Sequence, residues 1–219
     1  MKVFIRYFML ITIFLMPCTL YSHNFDVYFI DGTVKHCIYK ESTQELTIDH
    51  INKAIERIET DLKNEDIRKV IFSFVSIDHL TENVWNLLTN CKILKMNFCK
   101  CENLNFVKKL PSIQVFAMQE SNIVKKIDGL DFSYNKELEY LELEDLNINI
   151  TKDIKFPKSI KYIVICYSKI NIEGYDKIQK ALKKNTRLVL DLGQKDFVTT
   201  DFLLAESELI KLWKKYEVD

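Results

Sequence analysis

The sequence predicts an α/β solenoid, in which short parallel strands stack into a curved sheet on a concave side. Apolar residues recur in one fixed spacing about every 20 to 27 residues, which is the signature of a repeat architecture. Segments with hairpin and helix signals flank these repeats. We therefore expect a signal peptide at 1–22, a hairpin-helix cap at 23–66, repeats at 67–200 and a capping helix at 201–219.

Each repeat has apolar residues at its first, fourth and sixth positions and a turn residue at its ninth. Four segments fit this spacing, namely 93–101, 113–121, 138–146 and 160–168, with Ser121 and Ser168 suited to the turn position. Two less regular copies lie at the ends of the repeat region. The first starts at Lys69 and places Phe74 inward. The second lies near Leu188, and its inward strand residues are either Leu188 and Leu190 or Leu190 and Leu192. Stacked repeats bury one face of each strand, which a single repeat cannot do.

Short motifs around these repeats resemble the BspA-type bacterial leucine-rich repeats. Segments 90–94 and 98–104 contain parts of a motif in which an aromatic residue, Cys and Leu follow in that order. Segment 156–160 contains Pro-x-Ser before a predicted strand. Residues 173–185 are similar to the helix of ribonuclease-inhibitor-type repeats. The resemblance covers about 67–193 and implies the leucine-rich-repeat fold. Surface members of the BspA type are adhesins and binders of host or partner proteins, so it implies a protein-binding role.

The N-terminal segment has the three-part layout of a secretory signal peptide. Lys2 and Arg6 give a positive start, an apolar run ends at Pro17, and Ser22 suits the last position before cleavage. An uncleaved anchor and a lipid anchor on Cys18 stay open as alternatives. The sequence predicts an exported protein, secreted, periplasmic or at the cell surface. It meets a membrane only through this segment, if the segment is uncleaved or lipidated.

The regions on either side of the repeats carry their own signals. Two β-rich runs, 25–30 and 33–39, flank Asp-Gly and predict a hairpin, whose edge is an alternative site for strand addition. Apolar residues at helical spacing predict a helix over 44–62. A second helix is predicted over 201–216, where it would seal the last repeat.

Candidate catalytic and metal-binding groups do not form a recognised motif. Cys99 and Cys101 lack the gap of a zinc pair, so we expect packed thiols, with Cys101 in the turn position and Cys99 facing outward. A disulfide from Cys91 is the alternative. The acidic run 137–145 is predicted to be a solvated strand face, and a carboxylate-pair enzyme is the weaker alternative. We therefore predict no enzyme, no cofactor and no metal.

The predicted partner is a protein, bound on the concave sheet. Acidic and basic residues number 31 each, so the chain has no basic field for nucleic acid. The candidate site consists of variable strand residues: Lys95, Asn97, Gln119, Tyr140, Glu142, Tyr162, Val164 and Arg187. Tyr140 and Tyr162 hold equivalent positions and should stand side by side, either to bind or only to cover the sheet. The alternative function is a membrane-anchored structural or adhesive surface protein.

Overall fold

A computed structural model describes residues 25–37, 39–63, 67–123, 130–148, 153–170, 172–182, 184–191 and 200–215. The strands are β1 (Phe25–Phe29), β2 (Val34–Cys37), β3 (Tyr39–Lys40), β4 (Glu45–Thr60), β5 (Lys69–Ser76), β6 (Ile93–Asn97), β7 (Lys100–Cys101), β8 (Val115–Gln119), β9 (Asn122–Ile123), β10 (Tyr140–Glu144), β11 (Asn147–Ile148), β12 (Tyr162–Cys166), β13 (Lys169–Ile170) and β14 (Arg187–Asp191). The helices are α1 (Glu82–Leu87), α2 (Ile172–Ala181) and α3 (Thr200–Lys214), with 3-10 helices at Glu41–Thr43 and Asn105–Lys109.

The predicted fold class is wrong. Twelve strands form one mixed sheet whose main path runs β14-β12-β10-β8-β6-β5-β4-β1-β2, and β11 pairs with β13 separately. This is a sheet-rich fold rather than a short curved parallel sheet with helical caps. Along this path every pairing from β4 to β14 is parallel. At the other end, β1 is antiparallel to both β2 and β4.

The largest departure is the helix predicted over 44–62, which is the long strand β4. Its first part pairs in parallel with β5, and its end pairs antiparallel with β1. The pairing with β5 shifts register between Asp49 and Lys53. Such an irregularity interrupts the alternation of apolar residues, so that Ile48 and Ile55, both fully buried, are seven residues apart and mimic two turns of a helix. β-branched residues are frequent in this segment and favour the strand.

The predicted hairpin is confirmed as β1 and β2. Gly32 between them has φ +82°, a left-handed conformation that glycine adopts without cost. The Oδ1 atom of Asp31 accepts a hydrogen bond from the backbone N–H of Thr33 at 3.1 Å. This contact fixes the turn, and β2 becomes one end of the main sheet path.

The repeat strands lie side by side in parallel, and their inward residues form two continuous rows. One row contains Leu94, Phe116, Leu141, Ile163 and Leu188, and the next contains Met96, Met118, Leu143, Ile165 and Leu190. Of the two registers left open for the last repeat, the structure has Leu188–Leu190. These rows form the main core together with the loops that return behind the sheet.

Two of the predicted repeat frames are displaced by two residues. Ile93 pairs with Val115, so Cys91 and not Ile93 corresponds to the first position of the repeat 113–121. The same displacement affects the copy that starts at Lys69, because Lys69 pairs with Ile93. Inside β6 this shift leaves Leu94 and Met96 on the core face, and it changes only the placement of Ile93 and Phe98 at the strand ends. The apolar pattern alone therefore could not distinguish the two frames.

A chain of aromatic rings fills the core behind the sheet. Trp85 stacks on Phe106 at 5.6 Å between ring centroids, and Phe106 meets Phe116 at 6.0 Å. Phe116 meets Phe132 at 6.2 Å, and Phe132 stacks on Phe156 at 6.4 Å. These contacts link the sheet to the returning loops of successive repeats, since neighbouring aromatic rings at such distances attract one another.

The amide of Asn135 holds the loop behind β8. This fully buried side chain donates from Nδ2 to the carbonyl oxygens of Val107 at 2.8 Å and of Leu110 at 2.9 Å. We expect Asn135→Ala to lower the free energy of unfolding by about 2 kcal/mol, because two buried carbonyls lose their partner. Urea denaturation measures this loss. The exposed Asn83→Ala is the control, and equal stability of both variants would contradict the assignment.

The C-terminal segment is helical, as predicted, but α3 does not seal the end of the sheet. It packs across the second face of the sheet, against Val164 of β12 and Val189 of β14. The predicted signal peptide at 1–22 lies outside the described residues. Within the described part of the chain, no helix is both long enough and apolar enough to cross a bilayer.

Candidate functional site

All eight predicted site residues lie on the second face of the sheet, opposite the main core. The register places them in three parallel rows: Tyr140, Tyr162 and Arg187 in the first, Lys95, Glu142 and Val164 in the second, and Asn97 and Gln119 in the third. This common placement follows from strand alternation, because residues two apart share a face.

Helix α3 covers much of this face. Its residues Ala205 and Leu212 are buried in the same apolar cluster as Tyr140 and Val164, which are 2% and 1% exposed. Arg187 is exposed, and Lys95, Asn97, Gln119 and Tyr162 are partly exposed. The predicted site is therefore divided between a covered part and an open part.

Tyr140 and Tyr162 stand side by side, as predicted. They are paired in register, with ring centroids 6.3 Å apart. The hydroxyl of the buried Tyr140 donates to Oε2 of Glu142 at 3.0 Å. Tyr140 thus points its polar group into the sheet face, which fits the alternative that this tyrosine covers the sheet.

Glu142 is the centre of a polar network on this face. This residue is 4% exposed, and its carboxylate accepts a second hydrogen bond, from Nε2 of Gln119 at 2.7 Å. Burial lowers the pKa of the nearby Lys95 ammonium, while the charges of Glu142 and Glu45 act in the opposite direction. The ring of Trp213, on α3, lies 4.5 Å from Nζ of Lys95, a cation–π distance.

The acidic run 137–145 is only partly the solvated face that the sequence predicted. Glu142 is buried, which contradicts that prediction for its position. Glu137 binds Nζ of Lys92 at 2.8 Å, and this hydrogen bond holds the pKa of the Glu137 carboxyl below its usual range. Glu139 binds Nζ of Lys161 at 2.5 Å. These carboxylates have different partners along the sheet, rather than facing one another across a pocket.

A second surface lies where β6, β8, β10 and β12 end and where β5 is interrupted two residues before its end, and we call it the strand-end row. Its five residues are exposed and have φ between 45° and 58°: Phe74, Phe98, Glu120, Asp145 and Tyr167. They directly follow five residues that pair in register across the sheet: Ser73, Asn97, Gln119, Glu144 and Cys166. The rings of Phe74 and Phe98 stack with centroids 4.7 Å apart and planes 1° apart. The row thus has aromatic residues at both ends and acidic residues in the middle.

The strand-end row exists because the strand alternation is interrupted at its residues of positive φ, and β7 and β9 resume the pairing beyond it. Oγ of Ser121 accepts from the backbone N–H of Cys99 at 2.9 Å, and Oγ of Ser168 accepts from that of Leu146 at 3.0 Å. The predicted turn role of both serines is confirmed. Cys101 was wrongly placed in this role. Cys99, predicted to face outward, is buried and donates from Sγ to the carbonyl oxygen of Phe72 at 3.3 Å.

Sequence reasoning missed the aromatic part of this row. The displaced frames placed Phe74 and Phe98 inward, whereas they are 43% and 41% exposed. The signal that could have found them is Cys91, which begins a frame through Leu94 and Cys99 as apolar as the one we chose. In that frame Phe98 stands just before the turn position, as Glu120 does before Ser121.

The cysteines in the described part of the chain are buried and take part in no disulfide, so the predicted alternative of a Cys91 disulfide is wrong. Burial raises the pKa of the Cys91 and Cys101 thiols to about 12 and those of Cys37 and Cys99 to about 11.

We expect the buried thiols of the described cysteines to react very slowly with Ellman's reagent at pH 8, since the reagent cannot reach them and burial raises the pKa of Cys37, Cys91, Cys99 and Cys101. A Cys18→Ser variant leaves the five cysteines at 37, 91, 99, 101 and 166. All five should react within minutes in denaturing urea. Rapid reaction of any thiol in the native protein would contradict this burial.

Comparison with known proteins identifies no relative. No protein-family model, no curated protein sequence and no solved structure matches this chain. The resemblance of its short motifs to bacterial leucine-rich repeats therefore stays a prediction.

Proposed function

We propose that the chain is an exported, non-enzymatic protein-binding module that contacts its partner through the strand-end row. The observation that carries this proposal is the exposed, stacked pair Phe74 and Phe98. Aromatic side chains supply large contact areas at low conformational cost and dominate the binding energy of many interfaces. Here the pair is held by a sheet, so little order has to be gained on binding.

Backbone strain supports a role for these side chains. A residue with a Cβ atom in the left-handed region costs about 1–3 kcal/mol, and glycine would avoid this cost. Phe74 and Phe98 are in that region and also leave much of their rings in water. Neither feature favours folding, whereas strained backbone and exposed apolar side chains are both common where proteins bind ligands.

The shape of the strand-end row suits an extended segment of a partner protein. Neighbouring strands are about 4.8 Å apart, so five successive positions span roughly 19 Å. Glu120 and Asp145, in the middle of the row, favour a basic residue of the partner, and the aromatic ends favour apolar ones. The partly exposed Asn97 and Gln119 border the row and offer amide groups to the partner.

Two further features support the proposal. The layout of 1–22 supports export, and the mass of the mature N-terminus tests this directly, because cleavage after Ser22 leaves His23 as the first residue. The resemblance to BspA-type repeats, whose surface members bind proteins, supports binding rather than catalysis.

Affinity capture with the mature chain, followed by mass spectrometry, identifies candidate partners, and variants then test the surface. We expect Phe74→Ala/Phe98→Ala to weaken binding at least about tenfold, since paired aromatic residues are typical hot spots. Tyr134→Ala is the matched control, because Tyr134 is 60% exposed but lies outside the row. Unchanged affinity in the double variant, with the fold intact, would refute the strand-end row as the binding surface.

A further inference from the structure

Lys95 has an unusual setting for a lysine in the middle of a sheet. It lies on β6, and its in-register neighbours on β5 and β8 are the apolar residues Ile71 and Ala117. Among the described residues, the ring of Trp213, 4.5 Å away, is the one cation–π or ion-pair partner of its Nζ atom. A shielded lysine without an acidic partner is rare, and it is therefore a candidate for a chemical role.

The two carboxylates whose charges act on Lys95 are engaged with other groups. Both oxygens of Glu142 accept hydrogen bonds from neutral side chains, and Glu45 pairs with Nζ of Lys40 at 3.8 Å. Burial outweighs the charges of Glu142 and Glu45 and lowers the pKa of the Lys95 ammonium. A larger share of Lys95 is therefore the neutral amine, which is the nucleophilic form of the side chain.

Solvent reaches Lys95 while α3 stays on the sheet. Lys95 is partly exposed, whereas Lys69, whose Nζ lies 5.1 Å from the same Trp213 ring, is fully buried. The positive charge of Lys69 further disfavours the ammonium form of Lys95. A partly shielded amine beside a second cationic group is an arrangement that activates lysine as a nucleophile in proteins.

We propose that Lys95 is a covalent binding site for small carbonyl compounds, which it captures as an imine. The lone pair of Nζ attacks the carbonyl carbon, and the carbonyl oxygen leaves as water with the two hydrogens of the neutral amine. A C=N double bond remains, and the step needs no oxidant or reductant. The protonated imine keeps a positive charge beside Trp213, so the ring stabilises the adduct. This site goes beyond the proposed protein binding and uses no residue of the strand-end row, so either proposal can fail alone.

Propanal with sodium cyanoborohydride at pH 7 tests the proposal on the wild-type chain. The reductant converts the imine into a stable propylamine, which mass spectrometry locates after digestion. We expect Lys95 to be modified at least about tenfold faster than the exposed Lys136, because each pKa unit lost raises the neutral share of a lysine tenfold. In denaturing urea the two lysines should react at equal rates. A Lys95 that reacts no faster than Lys136 in the folded chain would overturn the proposal.

Two controls assign the reaction to Lys95. Lys69 should stay unmodified in the folded chain, because it is fully buried. Lys95→Arg keeps the positive charge but cannot form an imine, so it should lose the fast reaction, and a fast reaction that persists would overturn the assignment. If this variant does not fold, the wild type still decides. The ratio of Lys95 to Lys136 modification should fall from pH 7 to pH 10, since exposed lysines gain neutral amine in this range, and a constant ratio would contradict the proposal.

Discussion

Replacing Phe72 with alanine is expected to lower the free energy of unfolding by about 4 kcal/mol, because a fully buried ring leaves a cavity in the main core. Phe74→Ala, two residues further along β5, is expected to change it by less than about 1 kcal/mol. Phe74 is 43% exposed and lies outside the core. The two substitutions are chemically identical, so the difference between them measures the register of the strand.

Urea denaturation measures the free energy of unfolding of these two variants and of a third, Phe74→Gly. Phe74→Gly should be at least as stable as Phe74→Ala, because glycine adopts φ near 58° without steric cost. The frame predicted from the sequence placed both phenylalanines in the core. Losses of several kcal/mol at both positions would restore that frame and remove the strand-end row.

For β8, β10 and β12 the sequence was sufficient to predict that the strands stack in register and which face packs on the main core. Strand alternation and the repeat spacing identified β6, β8, β10 and β12, and equivalent positions placed Tyr140 beside Tyr162. Ser121 and Ser168 were recognisable because a small hydroxyl group can bond the backbone at a turn. These are local features, and they follow from residue type and from short-range periodicity.

The remaining features depend on contacts that a local pattern does not encode. Helical spacing over 44–62 arose from an irregular strand, and only the partners β1 and β5 show that this segment is extended. The repeat frame around Phe98 could begin at Cys91 or at Ile93, because the apolar residues fit both frames equally well. The amphipathic pattern of α3 indicated that one stripe is buried, but not that it packs on the predicted site.

Replacing Glu142 with leucine is expected to lower the free energy of unfolding by about 3 kcal/mol. Tyr140 and Gln119 would lose their acceptor, and Lys95 would lose an opposite charge in a shielded position. Lys95→Met/Glu142→Leu should recover part of this loss, because neither charge then remains. A double-mutant cycle with the two single variants measures the coupling, and strict additivity would contradict the electrostatic link.

The same network predicts how stability depends on alkaline pH. Burial lowers the pKa of Lys95 below its ordinary value of 10.5, so the unfolded chain holds more protons between the lowered pKa and 10.5. The stability of the folded chain therefore rises with pH through that window, as the folded state loses the lysine proton before the unfolded state does. Below the window both states hold the proton, and the folded state bears the full cost of burying the ammonium group. Urea denaturation from pH 7 to pH 10.5 should show wild type gaining on Lys95→Met as pH rises. A wild type that instead loses stability relative to Lys95→Met would mean that the ammonium is stabilised where it lies, and Trp213 would then outweigh the cost of burial.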